Sequence, residues 1–484
     1  MSPTTSGTWV QRSSTSPSVT WGCREWFSKR CERKTLVVRV KGPSLSNLKH
    51  VVYWHDTESV VSGPPLRESV DCDVCIVGGG FTGLWTAYFL KEAEPALDIH
   101  LVEAKHSGYG ASGRADGFIT PTIGKDLQAL VKKFGAQRAL EATQAVGRSI
   151  LEIGRFTRKN KIDAGYEAND YLMVATDRGQ VRRLREDREL AGRIGGVAPE
   201  ILTGQQAREI IDSPAVQAGM RVGGALVNPF RLARGIARVV RDKGVVIHDS
   251  TPCLRVEPGV RTTVVTAGGR VTADKVVLAT NVHMDAFRPF RHRVIPIWTY
   301  AMVSEPLTDR QAARVRWAGR EGMVEAKSLL TCARFTHDNR IMFAGGPAPY
   351  YYGRDKRQRN MNRAEVYRAI RHEFQRFFPQ WDDVSFTYAY GGTADVVRDY
   401  APHFGRLGHG VFYGYGYCGN GIAATHTGGK VLRDLVLGKD TDYSRLLLVD
   451  NDRRKPPPPF PPDPFLFAGA RMAPRLMDWK DARP

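Results

Sequence analysis

The 484-residue sequence has no uninterrupted apolar run approaching about eighteen residues, so no helix is expected to span a membrane. Cysteine is sparse: Cys23, Cys31, Cys72, Cys75, Cys253, Cys332 and Cys418. An odd number without dense spacing excludes a disulfide scaffold and fits a reducing, cytoplasmic setting. Cys72 and Cys75 form a CxxC, but three apart on a strand they point to opposite faces and read as buried residues, not a redox pair. There is no HExxH and no compact His/Asp/Glu cluster with metal-ligand spacing, so no metal is expected. No GxSxG elbow stands out for serine-hydrolase chemistry. Acidic residues are outnumbered, 50 against 70 Lys and Arg, giving a net charge of +20. Zinc-finger spacing and aromatic-basic RNA motifs are missing, so this charge suits solubility and cofactor phosphates better than specific nucleic-acid binding. Part of it is local: residues 1–50 hold nine Lys/Arg against Glu25 and Glu32. They contain no apolar core followed by a small-residue cleavage site, so a secretory signal is poorly supported. Residues 1–52 read as a basic, disordered extension.

What is present is a nucleotide-binding layout between Asp73 and Glu103. The apolar run Val74–Val77 leads into Gly78-Gly79-Gly80-Phe81-Thr82-Gly83. A helical segment, Leu84 to Leu90, follows, then a second apolar run, Ile99 to Val102, ending at Glu103. Strand, glycine turn, helix, strand and acid in this order form a dinucleotide fingerprint. Gly78 permits the tight turn, Gly80 the close approach of a pyrophosphate to the backbone, and Gly83 the contact of helix with sheet. The pyrophosphate is expected at the helix N-terminus, where backbone N–H groups point outward. Glu103 is expected to accept hydrogen bonds from the adenosine ribose.

The rest of the chain alternates helical and strand patterns until Arg293, where β character takes over. The predicted class is mixed α/β: a Rossmann-like dinucleotide-binding domain with an inserted β-rich substrate-binding domain. The expected division is 53–118, 224–292 and 385–445 for the discontinuous nucleotide domain, and 119–223 with 293–384 for the cap. Lys455 to Pro464 is too rich in proline for helix or interior strand, so 446–484 reads as an extended tail.

Several segments carry a resemblance. Trp54-His55-Asp56-Thr57 is similar to a short pre-domain segment. Gly110-Ala111-Ser112-Gly113-Arg114-Ala115-Asp116-Gly117-Phe118 is similar to a second glycine-rich loop, usually Gly-x-Ser-Gly-Arg-Asn-Gly-Gly. Asn228-Pro229, Val276 to Asn281, Arg334 with Asp338 to Gly346, and Asp399 to Gly405 fit later segments. Tyr415 to Ile422 is similar to a terminal flavin loop, with Asn420 at a position commonly histidine. Together these resemble the flavin-dependent amine and amino-acid oxidase (DAO) superfamily, most closely its gamma-glutamylputrescine oxidoreductase branch, over roughly residues 53–445.

The resemblance implies non-covalent FAD, held by Gly78, Gly80, Phe81, Thr82, Gly83, Glu103, Ala104, Ser112, Gly113, Arg114, Gly419, Asn420, Gly421 and Ile422. Backbone N–H groups of Gly419 to Gly421 are expected to face the flavin. It also implies oxidation of an amine or amino acid at the carbon beside nitrogen, followed by hydrolysis of the imine. Oxygen is the expected acceptor, yielding hydrogen peroxide; a quinone or protein acceptor is the alternative, and a non-catalytic flavoprotein partner a further one. The candidate catalytic residues are Asn420, Tyr300, Arg334 and Asp116. Arg334 either clamps a substrate carboxylate through its fork or lies on the outer face of an alternating strand. Asp116 replaces the usual glycine, so it points away, pairs with a cation or contacts a substrate amine. Trp298 and Tyr300 share one strand face and either line a pocket or pack in the core. His283, His403 and His426 are possible acid–base groups, though structural roles suit each.

Overall fold

The structure is a computed structural model that describes Trp9–Val10 and residues 45–481, apart from Lys125, Leu330, His409, Asp452 and Arg453. Most of the basic extension therefore lies outside the described residues. Two large sheets organise the chain. The first is built on β1 (Val70–Val77), flanked by β2 (Ile99–Val102) on one side and β3 (Arg270–Leu278) on the other, all parallel. Val246–His248 extends it beyond β2, and Val411–Tyr415 pairs with the C-terminal half of β3. Helix α1 (Phe81–Ala93) links β1 to β2; every residue from Phe81 to Leu90 is buried. Burial all round its circumference follows from its position between the sheet and a second helical layer. That layer consists of α2 (Ala136–Lys159) and α3 (Gly421–Leu437), whose small residues allow close approach. A Cβ on Gly429 would stand 2.7 Å from Trp85 Cβ.

The second sheet has eight strands and is mostly antiparallel. Its longest pair lies at one edge, Ile295–Pro306 against the edge strand Phe386–Val396. Tyr171–Ala175, Ala218–Val222 and Glu200–Thr203 complete its far side. An aromatic core including Trp317, Phe343, Phe374 and Trp381 backs this sheet. The parallel nucleotide sheet beside a β-rich lobe is the mixed α/β class expected from sequence.

The division of the chain differs from the sequence expectation in four places. Phe386–Val396 belongs to the second sheet, not the nucleotide domain. Helix α2, assigned to the cap, instead contributes Ala139, Ala142, Val146 and Ile153 to the nucleotide-domain core. Residues 45–52 are folded: Lys49 exchanges backbone bonds with Thr387 and Ala389, and Val52 is buried. Finally, the described residues of 446–481 form no extended tail. Leu446 to Val449 fill the nucleotide core, and beyond the prolines runs helix α4 (Phe465–Asp481). Its apolar face at helical spacing, Leu466, Ala470, Ala473 and Met477, follows directly on the proline run.

No helix among the described residues is long and apolar enough to cross a membrane. Cys72 and Cys75 are both buried free thiols.

Candidate active site

A cavity of about 1120 Å³ lies between the two sheets. One end is built by the glycine turn after β1. Gly78 has φ +112°, and a Cβ there would meet Ala279 O at 2.5 Å. The turn aims the N-terminus of α1 at the cavity, where Gly80, Phe81 and Thr82 form the lining. First-turn amides have no intrahelical acceptor. That of Phe81 donates to Ser112 Oγ at 2.8 Å, so the second glycine-rich loop supplies the cap that Gly80 lacks. Glu103 reaches back under the turn: Oε2 accepts from Gly79 N–H at 2.7 Å and Oε1 from Lys105 N–H at 2.9 Å. Burial pushes its carboxyl up, while these amides pull it back. Each oxygen retains a lone pair for a further donor. Ala104 lines the same end. Gly83 stands behind: a Cβ would meet Gly78 O at 2.0 Å, so its work is to seat helix on turn. Gly113 is likewise a packing residue, where an added Cβ would meet Gly108 O at 2.2 Å, and it does not line the cavity.

The terminal loop closes the opposite wall. Asp395 is 1% exposed and accepts from Gly416 N–H at 2.6 Å and Tyr417 N–H at 3.1 Å. Tyr417 OH meets Thr82 Oγ1 at 2.7 Å, tying this loop to α1. Asn420 lines the cavity, but Nδ2 donates to Gly124 O at 2.6 Å. Its backbone N–H is also taken, by Tyr417 O at 3.0 Å. The expected row of free amides from Gly419 to Gly421 is therefore interrupted at Asn420. Gly421 and Ile422, in the first turn of α3, continue the lining. Two helix N-termini thus converge on one cavity, with an acid below the glycine turn. This donor set fits a dinucleotide that carries a diphosphate and a ribose.

The remaining predicted residues divide sharply. Arg114 lines the cavity but is committed: Nε donates to Tyr109 O at 3.1 Å and Nη1 to Gly391 O at 3.3 Å. Arg334 is not part of the lining. It is 3% exposed, with Nη1 donating to Gly117 O and Val227 O at 3.0 and 2.9 Å, and Nε to Phe335 O at 3.1 Å. Diverting it to a carboxylate would break buried, charge-assisted hydrogen bonds to these carbonyls at about 1–3 kcal/mol each, which offsets the gain from a clamp. Arg334 braces the loop beneath Asp116, and the clamp reading is corrected. Arg334→Lys is expected to lower unfolding stability by about 2 kcal/mol, since one ammonium cannot span three carbonyls in a fixed fork. Chemical denaturation measures the loss; substrate KM should not move.

Tyr300 is 2% exposed and its hydroxyl is fixed between Tyr351 OH and Asn360 O, each at 2.8 Å. Burial drives its proton affinity upward, so it is a wall and not a proton donor. Trp298 stacks against it at 6.0 Å, as their shared strand face requires. Among the histidines, His283 lines the cavity. His403 is instead locked between Asp450 at 2.7 Å and Asp399 at 3.0 Å, and His426 between Ser149 Oγ and the rings of Trp85 and Phe89.

Asp116 differs from all of these. It lines the cavity and makes no ion pair among the described residues. Its one side-chain hydrogen bond among them, to Oδ2, comes from Cys332 Sγ at 3.6 Å. Burial raises its carboxyl from 3.8 to about 6. Three features escape sequence reasoning: Cys332, Asp395 and the cover supplied by α4. The first two lack any motif; Asp395 is identified only by the loop folded over it.

The comparisons agree with this geometry. The family described as DAO, FAD dependent oxidoreductase, matches residues 73–435. The gamma-glutamylputrescine oxidoreductase of Escherichia coli (strain K12) is 30% identical over 380 residues, covering 77% of this chain and 85% of the relative. Glycine oxidase from Geobacillus kaustophilus superimposes with a TM-score of 0.64 at 20% identity, over 77% of this chain and 96% of that one. L-proline dehydrogenase from P. horikoshii gives 0.64 at 17% identity, over 80% and 96%. With a match that spans the glycine turn, both loops and the strands between them, this chain belongs to the DAO family of FAD-dependent oxidoreductases.

Proposed function

We propose that this protein oxidises the C–N bond of a primary or secondary amine, using non-covalent FAD. The observation that carries the reading is Asp116, a partly buried carboxylate that faces the cavity and that, among the described residues, no cation contacts directly, Arg334 acting on it only at longer range. A buried charge calls for compensation, and a substrate ammonium supplies it. The relative named for gamma-glutamylputrescine supports an amine as the substrate class.

The first-turn amides of α1 and α3 would hold the cofactor at its diphosphate and its flavin end, and Glu103 would hold its ribose. FAD, when bound, supplies the two-electron acceptor. Substrate enters as an ammonium and pairs with Asp116. Burial of both groups narrows the gap between their proton affinities. One proton moves from the ammonium nitrogen to Asp116 Oδ1, the oxygen that Cys332 leaves free. The nitrogen lone pair is then available to support the carbon as it loses its hydrogen. Trp298 and Tyr300 wall the space and restrict the pose. The Cys418 thiol donates to Gly416 O at 3.4 Å and burial drives its proton affinity upward, which supports a non-covalent cofactor. In the overall balance a primary amine, dioxygen and water give a carbonyl compound, ammonia and hydrogen peroxide in equal amounts. The two electrons leave the substrate with its C–H and N–H hydrogens and end on the peroxide.

Purified yellow protein should be bleached anaerobically by an amine and recover its colour in air, with one hydrogen peroxide formed per carbonyl. A bleached flavin that persists in air yet reduces a dye assigns the acceptor to a quinone or protein. A flavin left oxidised by every amine and amino acid sinks the reading.

A further inference from the structure

Helix α4 lies outside the stretch that matches the family, and it roofs the cavity. Leu466, Gly469, Ala470, Ala473 and Met477 all contribute to the lining, at spacings that place them on one helical face. Leu466 and Ala470 share one apolar cluster with Ile295 and Ile297, so the roof sits over the start of the long strand Ile295–Pro306 of the second sheet. Both ends of the segment are tied down. Asp463 accepts from Tyr350 OH and Gly353 N–H at 2.8 Å each. Asp481 accepts from Ser328 N–H at 2.8 Å and Ser328 Oγ at 3.0 Å, and pairs with Arg183 at 3.4 Å. The roof is therefore a fixed wall.

Its chemistry is one-sided. The face offers no charge to a substrate, and its small residues leave space beneath them. The cations near it are engaged elsewhere: Lys356 pairs with Asp285 at 2.7 Å, and Arg398 is exposed and donates to Pro459 O. Of the three carboxylates in the described lining, Glu103 and Asp395 are each held by two backbone amides, and Asp116, with only the Cys332 thiol on it, is left for a substrate. We propose that α4 is a specificity element that makes the site select amines bearing an apolar body, with the ammonium at Asp116 and the body under the roof. Diamines and amino acids would bring a second charge against Leu466, Ala473 and Met477, where nothing compensates it. This inference rests on the amine reading above, but it concerns the other end of the substrate.

The test uses the full-length holoenzyme and tertiary-carbon alkylamines, which lack the hydrogen on the carbon beside nitrogen and so bind without turnover. Calorimetry across a series of increasing chain length should show Kd falling about fourfold per added methylene, as expected for complete burial of CH2. The matching α,ω-diamines should bind at least tenfold more weakly. Leu466→Ser combined with Met477→Ser should flatten the chain-length dependence. Ala473→Asp should reverse the preference and tighten the diamines, a gain that misfolding cannot produce. Equal binding of short and long amines by the wild type overturns the proposal, as does an unchanged dependence in both variants. If Asp116→Asn binds every amine like the wild type while the chain-length dependence persists, the amine anchor fails and the roof stands. Absence of binding by all amines overturns both.

Discussion

Asp116→Asn is expected to lower kcat/KM for the amine substrate by at least about 100-fold while the protein stays yellow. Removing one partner of a buried, hydrogen-bonded charge pair typically costs about 2–5 kcal/mol, and about 100-fold is the lower part of that range. Asparagine keeps the shape and the contact with Cys332, so the loop from Ala115 to Phe118 should hold its place. The pH dependence separates this role from a purely structural one. Asp116 is charged only above about 6, so productive pairing is lost as pH falls through that value. The wild-type kcat/KM profile should show an acid limb there, and the variant should lack it. Stability should move in the opposite direction. The folded state binds this proton more tightly than the unfolded chain, so the buried charge destabilises the fold above about pH 6 and the penalty fades on acidification toward 3.8. The asparagine variant should therefore gain on the order of 1 kcal/mol at about pH 8 and nothing at about pH 3. Thermal melts at the two pH values measure this. An unaltered pH–rate profile would remove Asp116 from the site.

Gly83→Ala is expected to yield a colourless, destabilised protein. The added Cβ would lie 2.0 Å from Gly78 O and 3.1 Å from Ile76 Cγ2, and the first of these is backbone that cannot rotate aside. Helix α1 must lift from β1, which costs about 3 kcal/mol, the upper end for overpacking a core. The same movement carries Phe81 and Thr82 away from the cavity wall, so FAD affinity should fall at least tenfold with it. Flavin absorbance per protein and a denaturation curve report the two losses together. Gly192→Ala is the control: it sits exposed in the helix Arg178–Arg193, with nothing nearer than Ala198 Cβ at 3.7 Å. That change should be neutral or stabilising. Equal behaviour of the two variants would mean that Gly83 has no steric role.

The contrast between Gly83 and Arg334 shows what kind of information a sequence holds. Gly83 lies within a local motif, where strand, turn and helix follow without a break. Its neighbours in space, Ile76 and Gly78, are also its neighbours in the chain. Glu103 is legible for a related reason: the next parallel strand must end beside the first, so its terminal acid falls under the turn. Arg334 has partners at Gly117 and Val227, more than a hundred residues away. Nothing in the alternation of its strand distinguishes a clamp reaching into a cavity from a brace behind it. The face that Tyr300 shares with Trp298 follows from strand parity, yet the occupation of its hydroxyl by Asn360 and Tyr351 depends on a distant loop. The C-terminal segment differs in kind. Its proline run is neither helix nor strand, but that character stops at Pro464, where a helical apolar face begins.

By itself the sequence determined the nucleotide-binding layout, the mixed α/β class and the likeness to flavin oxidoreductases, because each rests on short-range periodicity and on glycines whose spacing is set by local geometry. Only the tertiary structure decided which charges remain available to a substrate. Packing spent Arg114, Arg334 and Asn420 on backbone carbonyls, left Asp116 facing the cavity, and brought α4 from the far end of the chain to cover it. Hydrogen-bond satisfaction is a property of groups distant in sequence, and a buried donor already committed to a carbonyl turns to a substrate only at the cost of that bond.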